Sequence, residues 1–444
     1  MAPNPAIIKT VEQLNYRVTV GDVAAQAGLN VNQAQQGLLA LASDAGGHLQ
    51  VAESGDITYL FPKNFRTILR NKFLRLRLKE WWDKVGNVLF YLIRISFGIV
   101  LILSIVLITI TIAVILIAVQ SSSDEDSGGG DMRPGGGGSF FFPAFFWFGP
   151  NPFWFFDPGY EQERRSRRQR ERIRGSQRQS EMNFLEAVFS FLFGDGNPNS
   201  DLEERRWQQI GAVIRNHDGA VVAEQVAPYL DNIEAGESEY EDYMLPVLTR
   251  FNGYPEVSEN GEIIYYFPDL QVSATRQRRQ SVPAYLKEHP WRFSEAGSRQ
   301  IMFATGLGGL NLILVLVLGS LLQGGELAAQ IGGLVAFVQS IYWLLAGYAT
   351  AFLVIPLLRY FWIQRKNRQV EVNNQRRAER AERLNRAGEN LREKIAYAHQ
   401  FAAQKVLSDE EEVAYSTETD LTEQESDRAD KIDEEWRRRL ESGS

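Results

Sequence analysis

Residues 89–119 read LFYLIRISFGIVLILSIVLITITIAVILIAV, with one charge, Arg94, in the whole run. Bilayer hydrocarbon is ~30 Å thick and takes about 20 helical residues to cross. A run this long is hard to bury in a soluble core, so it reads as a transmembrane helix. Residues 301–322 and 331–363 are similarly apolar and read as a second and a third span. Overall, 44% hydrophobic and 23% charged residues is an ordinary soluble composition. The chain therefore alternates membrane segments with soluble domains. It has 444 residues and no cysteine, which excludes disulfides, zinc–thiolate sites, cysteine nucleophiles and all-cysteine iron–sulfur clusters held by this chain alone. The first 80 residues carry no signal-peptide pattern.

Before the first span, residues 1–62 read as one small domain. AIIKTVEQL (6–14) has helical spacing, and RVTVGDVAAQAGL (17–29) places a strand before a second helix. VNQAQQGLLALAS (31–43) is a third helix, and HLQVAE-SGD-ITYLFP (48–62) a hairpin. That order is the winged-helix variant of helix-turn-helix. It recurs as WQQIGAVIRN (207–216), GAVVAEQVAPYLD (219–231), EDYMLPVLTRFNG (241–253) and PEVSE-NGE-IIYYFP (255–268). The hairpins align without gaps: Gly55/Gly261, Asp56/Glu262, Ile57/Ile263, Tyr59/Tyr265, Phe61/Phe267 and Pro62/Pro268. We read a duplicated module. Pro246 is expected to kink the third helix of the second copy or delay its start.

Charge argues against DNA binding, which needs Lys and Arg to neutralise phosphates. Residues 1–60 carry Lys9 and Arg17 against five acidic residues; residues 208–270 carry Arg215 and Arg250 against twelve. The third helix of the first copy has no Lys or Arg at all. Protein docking is the expected use of both modules.

Basic residues collar each span. Arg70, Arg75 and Arg77 precede the first, and Arg276, Arg278 and Arg279 precede the second; these six are candidate lipid-headgroup ligands. Arg365, Lys366 and Arg368 follow the third, whereas QGGELAAQ (323–330) has no positive charge. Spans two and three thus read as a hairpin whose tip faces away from the cytoplasm. A single crossing at 89–119 would then put the arginine-rich run 163–179 and the start of span two on the wrong side. FFFPAFFWFGPNPFWFF (140–156) bears on this conflict. Its three prolines break a helix, and its aromatic residues suit the headgroup boundary. We expect an interfacial or re-entrant segment, with Phe140, Trp147, Trp154 and Phe156 as membrane-interface residues, and the modules on the cytoplasmic side.

Within the spans, GLGGLN (306–311) reads as close helix packing, Asn311 and Gln339 as interhelical hydrogen-bonding residues, and Arg94 as a snorkelling cation. Residues 364–407 read as a charged amphipathic helix that suits a homo-oligomeric coiled coil, and 408–444 as a disordered acidic tail ending in a short helix. The remaining divisions are a basic helix plus span one (63–120), a Gly-, aromatic- and Arg-rich linker (121–181), a second domain (182–271) and a basic linker (272–300). The four histidines are scattered without metal spacing; no catalytic constellation, metal site or cofactor is expected.

Three stretches carry a resemblance: FLEAVFSFLFGDGNPNSDLEERRWQQIGAVIRNHDGAVVAEQVAPYLD (184–231), VLTRFNGYPEVSENGEIIYYFPDLQ (247–271) and LREKIAYAHQ (391–400). They resemble a family of membrane proteins in cyanobacteria and plant chloroplasts, some members of which are labelled iron–sulfur cluster biosynthesis proteins. The resemblance implies a photosynthetic membrane, thylakoid or plasma membrane, and transfers no catalytic residue. The sequence thus reads as an α-helical integral membrane protein with two small winged-helix (α+β) domains and a helical C-terminal extension. Its expected role is a non-enzymatic scaffold or assembly factor whose partners are lipids and membrane complexes. A membrane-tethered transcriptional regulator and a transporter or channel subunit are the rival readings.

Overall fold

The computed structural model describes residues 4–420 except 73, 124–182, 232, 234–240, 277–278, 324–325, 387, 408–412 and 419, and scattered residues between 422 and 437. The segment 140–156 with Phe140, Trp147, Trp154 and Phe156, the run 163–179 and Arg278 lie outside the described residues. The chain is mostly helical, with three helices long and apolar enough to cross a membrane and small antiparallel sheets. It divides into two compact units: Met1–Val85 with Asn197–Trp291 and Lys366–Ser444, and Gly86–Gly196 with Arg292–Arg365.

In the first unit, the leading copy runs α1 (Pro5–Gln13), β1 (Arg17–Thr19), α2 (Val20–Ala27), α3 (Val31–Ala45), β2 (His48–Ala52) and β3 (Ile57–Leu60). Local chemistry sets the helix starts. Asn4 caps α1 ahead of Pro5, Asn30 caps α3, and Thr19 and Asp22 form a reciprocal capping box on α2. The second copy repeats the order without α1's exact length: a helix at Leu202–Asn216, a strand at Ala220–Val221, a short helix at Ala223–Val226, a helix at Leu245–Phe251, and strands Tyr254–Val257 and Ile263–Tyr266. Pro246 sits in the first turn of its helix, where its missing N–H has no partner to lose, and a 3-10 turn, Asp242–Met244, precedes it. The first copy's strands lie in the order β1-β3-β2, and the second copy's in the same order.

The two copies share one apolar core, which runs from Ile7, Leu38 and Tyr59 to Ile214, Phe251 and Phe267. Helix α2 packs closely against Leu202–Asn216. A Cβ on Gly211 would lie 2.8 Å from the Ala25 backbone, so only glycine allows this spacing. Asp22, 1% exposed, locks the contact. Its carboxylate accepts hydrogen bonds from the Thr19 and Ala274 amides, both at 2.9 Å, and pairs with Arg215 at 2.6 Å.

In the second unit, span one lies in helix Leu74–Ser123 and span two is Ser298–Leu321. Helix Phe184–Phe193, too short to cross, packs on the start of span one: a Cβ on Gly98 would meet Leu185 at 2.7 Å. One apolar cluster joins Leu101, Phe191, Ala304 and Phe352; another joins Ile115, Leu322, Val335 and Leu345.

Three expectations are corrected. The third span does not run 331–363 as one helix. A helix ends at Ser340, whose hydroxyl bonds the Phe337 carbonyl at 2.6 Å, and the apolar helix restarts at Tyr342 and continues to Asn385. Hydropathy records the apolar run but not this local competition for backbone carbonyls. The charged helix expected from 364 is therefore the continuation of that helix, followed by Glu389–Ala398. Its apolar residues are used in cis: Leu391, Ile395, Ala398 and Phe401 pack on Val222 and Ile264 of the second copy. The acidic tail is not wholly unstructured, because Val413–Ser416 pairs with β2 as a fourth strand.

Asp22→Ala is expected to lower stability by on the order of 3 kcal/mol, since it leaves Arg215 without its carboxylate. Thermal unfolding of the purified chain in detergent reads this as a drop of roughly 6–10 °C. An unchanged midpoint would refute the clamp.

Candidate functional site

The first unit carries a surface whose exposed side chains are uncharged. On α3 the exposed residues are Asn32, Gln33, Gln35, Gln36, Leu39, Ala40 and Ser43, none of them charged, and Asp44 in the last turn is half-buried. The matching helix of the second copy presents Leu245, Pro246 and Thr249. The two helices meet where the Asn30 Nδ2 donates to the Thr249 carbonyl at 3.0 Å. Arg250, the cation on the second of these helices, is turned inward. Its Nε donates to the Gly28 carbonyl at 2.8 Å and its guanidinium lies 4.3 Å from the centre of the Trp207 ring. Burial holds the Arg250 pKa below the ordinary guanidinium value, against the opposing pull of Glu203.

The second copy is braced from behind by two buried cations. Arg377, 2% exposed, pairs with Asp231 and with Glu288 at 2.7 Å, and donates to the Leu286 carbonyl at 3.0 Å. Lys394, 4% exposed, reaches Glu241 at 2.6 Å and Glu224 at 3.0 Å. Burial alone would lower the Lys394 pKa, but these two carboxylates outweigh it and the net direction is up. The Tyr265 hydroxyl donates to Glu241 at 2.9 Å. Burial first, then Glu241, raises Tyr265 and Tyr243, and burial pushes Tyr229 up to about 12.

In the second unit, the FGDG stretch places Asp195 at the centre of a polar knot. Asp195 pairs with Arg94 of span one at 2.7 Å and accepts from the Ser190 hydroxyl and from the Glu295 amide at 2.8 Å. Ser190 and Ser294 share a hydrogen bond of 2.6 Å. Arg359 of span three donates to the Ser190 and Phe191 carbonyls at 3.1 and 2.9 Å and stacks on Phe293. Gly194 and Gly196, at φ +81° and +101°, let the loop turn, and a Cβ on Gly194 would crowd Arg359 at 3.1 Å. Arg94, expected to snorkel, is therefore half of an ion pair. The paired glycines were the available signal; the partners lie a hundred or more residues away.

Among the other residues singled out in the sequence, Asn311 is fully buried and accepts from the Ser104 hydroxyl of span one at 3.0 Å. Gln339 is exposed. Arg276 and Arg279 are exposed, while Arg70, Arg75 and Arg77 lie in helices Phe65–Lys72 and Leu74–Ser123. Among the described residues no group of three His, Cys, Asp or Glu could hold a metal ion. The two best-formed clefts measure about 130 and 170 Å³, lined respectively by residues such as His217 and Tyr229, and Arg215 and Gln271.

Two outcomes test this geometry. Because the chain lacks cysteine, Arg94→Cys with Asp195→Cys is expected to be joined by a short bismaleimide, visible as a mobility shift on a denaturing gel; no shift would refute the knot. In alkali, only the unfolded chain releases the Tyr229, Tyr243 and Tyr265 protons near pH 10. Stability is therefore full below about pH 10 and falls as pH rises beyond it. The contribution of Lys394, its folded value raised, is likewise present below its unfolded value and lost as pH passes its folded one. Phenolate absorbance near 295 nm should lag for these three tyrosines until the chain unfolds.

No family model and no solved structure matches the chain. It is 39% identical over 447 aligned residues to the "Uncharacterized protein At5g03900, chloroplastic" of Arabidopsis thaliana, across 97% of this chain and 80% of the relative. That name carries no iron–sulfur assignment. At this identity and coverage, the chain belongs to the family of this chloroplastic protein.

Proposed function

We propose that this chain is a non-enzymatic membrane scaffold or assembly factor whose two modules, read as winged helices, dock partner proteins as a pair. The observation that carries the reading is the joined face of α3 and Leu245–Phe251. A duplex-binding helix offers cations to phosphate. This face offers amides, small residues and Leu39 and Leu245, which are 44% and 60% exposed. Such a surface suits the uncharged centre of a protein interface.

A bilayer placement is supported by the aromatic residues of the last long helix. Trp343 is 82% exposed at one end, and Tyr360, Phe361 and Trp362 are exposed at the other. Nineteen helical residues separate Trp343 from Trp362, or ~28 Å at ~1.5 Å per residue, close to the hydrocarbon thickness. The chloroplastic relative favours a photosynthetic membrane. The core shared by both copies favours a single face of that membrane for the pair, which we assign to the cytoplasmic or stromal side on the strength of the basic collars.

The test uses the full chain in detergent or nanodiscs. A photocrosslinking side chain at Gln36 and, separately, at Leu245 is expected to capture the same protein from the native membrane, and one at Lys9 is not. Duplex DNA at ~0.1 M salt is expected to leave the fluorescence anisotropy unchanged. Clear, salt-sensitive DNA binding would overturn the scaffold reading in favour of a tethered regulator.

A further inference from the structure

The two copies treat their outer sheet edges differently. In the second copy the edge strand Tyr254–Val257 carries Pro255, which has no N–H to offer, and Glu256. Both features discourage strand addition. No strand lies beside it among the described residues, so the module's fold is complete with an open edge. The equivalent β2 reads HLQVA, with no proline and no acidic or permanently cationic side chain. It is a competent edge, and Val413–Ser416 occupies it.

That occupant binds as a ligand does, through its backbone. Gln50 faces Ser416 and Val51 faces Tyr415. Thr417 closes the end twice: its amide donates to the Leu49 carbonyl at 3.0 Å, and its hydroxyl accepts from the Leu49 amide at 2.8 Å. The side chain of Gln424 covers the outer side of Ser416, accepting from its amide at 3.0 Å and donating to its carbonyl at 2.6 Å. Ala414, Tyr415 and Ser416 lie outside the module's core, and Tyr415 is 40% exposed. The preceding anchor is close in the chain: Val406 pairs with Ser273, and Lys405 with Asp56 at 2.6 Å.

We propose that the outer edge of β2 is a strand-addition site for an extended segment of a partner protein, uncharged where it pairs and bearing a hydroxyl residue at the position of Thr417. Val413–Ser416 is its built-in occupant. The inference rests on reading the first unit as a protein-docking body, and adds a second surface to the α3 face. The short tether gives the tail a high local concentration, so a partner gains access by displacing it.

A fluorescent peptide of residues 411–419, EEVAYSTET, is the probe. Tyr415→Pro in the full chain removes a backbone donor of the tail strand, and Thr417→Val removes the hydroxyl latch without a proline. Both variants are expected to bind the peptide ~10-fold or more tightly than the unaltered chain. N-methylation of the peptide's tyrosine amide should abolish that binding. Equal affinity for altered and unaltered chains, or binding indifferent to N-methylation, would overturn the proposal. A dimer of the unaltered chain that Tyr415→Pro dissolves would also overturn it, making a second copy the occupant. Capture at Gln36 is independent of this peptide, so failure here and failure of the docking reading are distinguishable.

Discussion

Asp195 decides how the second unit is threaded. The chain enters or leaves that unit at four points, near residues 86, 196, 292 and 365. The groups gathered on and around Asp195 come from all four: Arg94, Ser190 and Asp195 itself, Ser294 with the Glu295 amide, and Arg359. One partly buried carboxylate, 13% exposed, thus holds four chain passages at one end of the bundle. Removing it would leave Arg94 desolvated and Ser190 short of a partner, which is more costly than never having placed charges there.

The opposite end of the bundle is defined by Ile115, Leu322, Val335 and Leu345. Helix Leu74–Ser123 stops beyond Ile115, whereas Phe184 lies beside Phe97 and Phe293. Residues 98 and 123 are about 37 Å apart along a helix rising ~1.5 Å per residue.

Much of this was legible in the sequence because it is local or periodic. The hairpins align residue for residue because both must bury Tyr59 or Tyr265 and Phe61 or Phe267 on one face of a two-residue repeat. Three helices long and apolar enough to cross a membrane were legible from hydropathy, but the break in the third apolar run was not. The clamps were not. Asp22 and Arg215 are 193 residues apart, and Asp195 and Arg94 101, so no window contains both partners. Sequence reading assigned Arg94 to water because an isolated cation in an apolar run has no visible partner. The strand at Val413–Ser416 was hidden for a related reason. Four uncharged residues in an acidic tract gain a fold only when an open edge is supplied elsewhere.

The C-terminal segment extends this logic. Leu391, Ile395 and Phe401 sit at spacings that suit a coiled coil, and a second helix would have covered them. The second copy covers them instead, and Lys394, flanking the same stripe, finds Glu224 and Glu241 rather than a partner chain's carboxylate. Two buried cations, Arg377 of Tyr342–Asn385 and Lys394 of Glu389–Ala398, each answered by at least two carboxylates, then fix the registers in which these two helices lie on the module. A purely apolar stripe tolerates sliding by a turn; a buried cation does not, because a shifted register leaves it desolvated without its acids. The strongly acidic composition of the second copy, which argues against DNA at the level of charge, is in part the complement of these two cations. Among its other described acids Asp242 and Glu259 are exposed, whereas the exposed residues of α3 and of Leu245–Phe251 are uncharged.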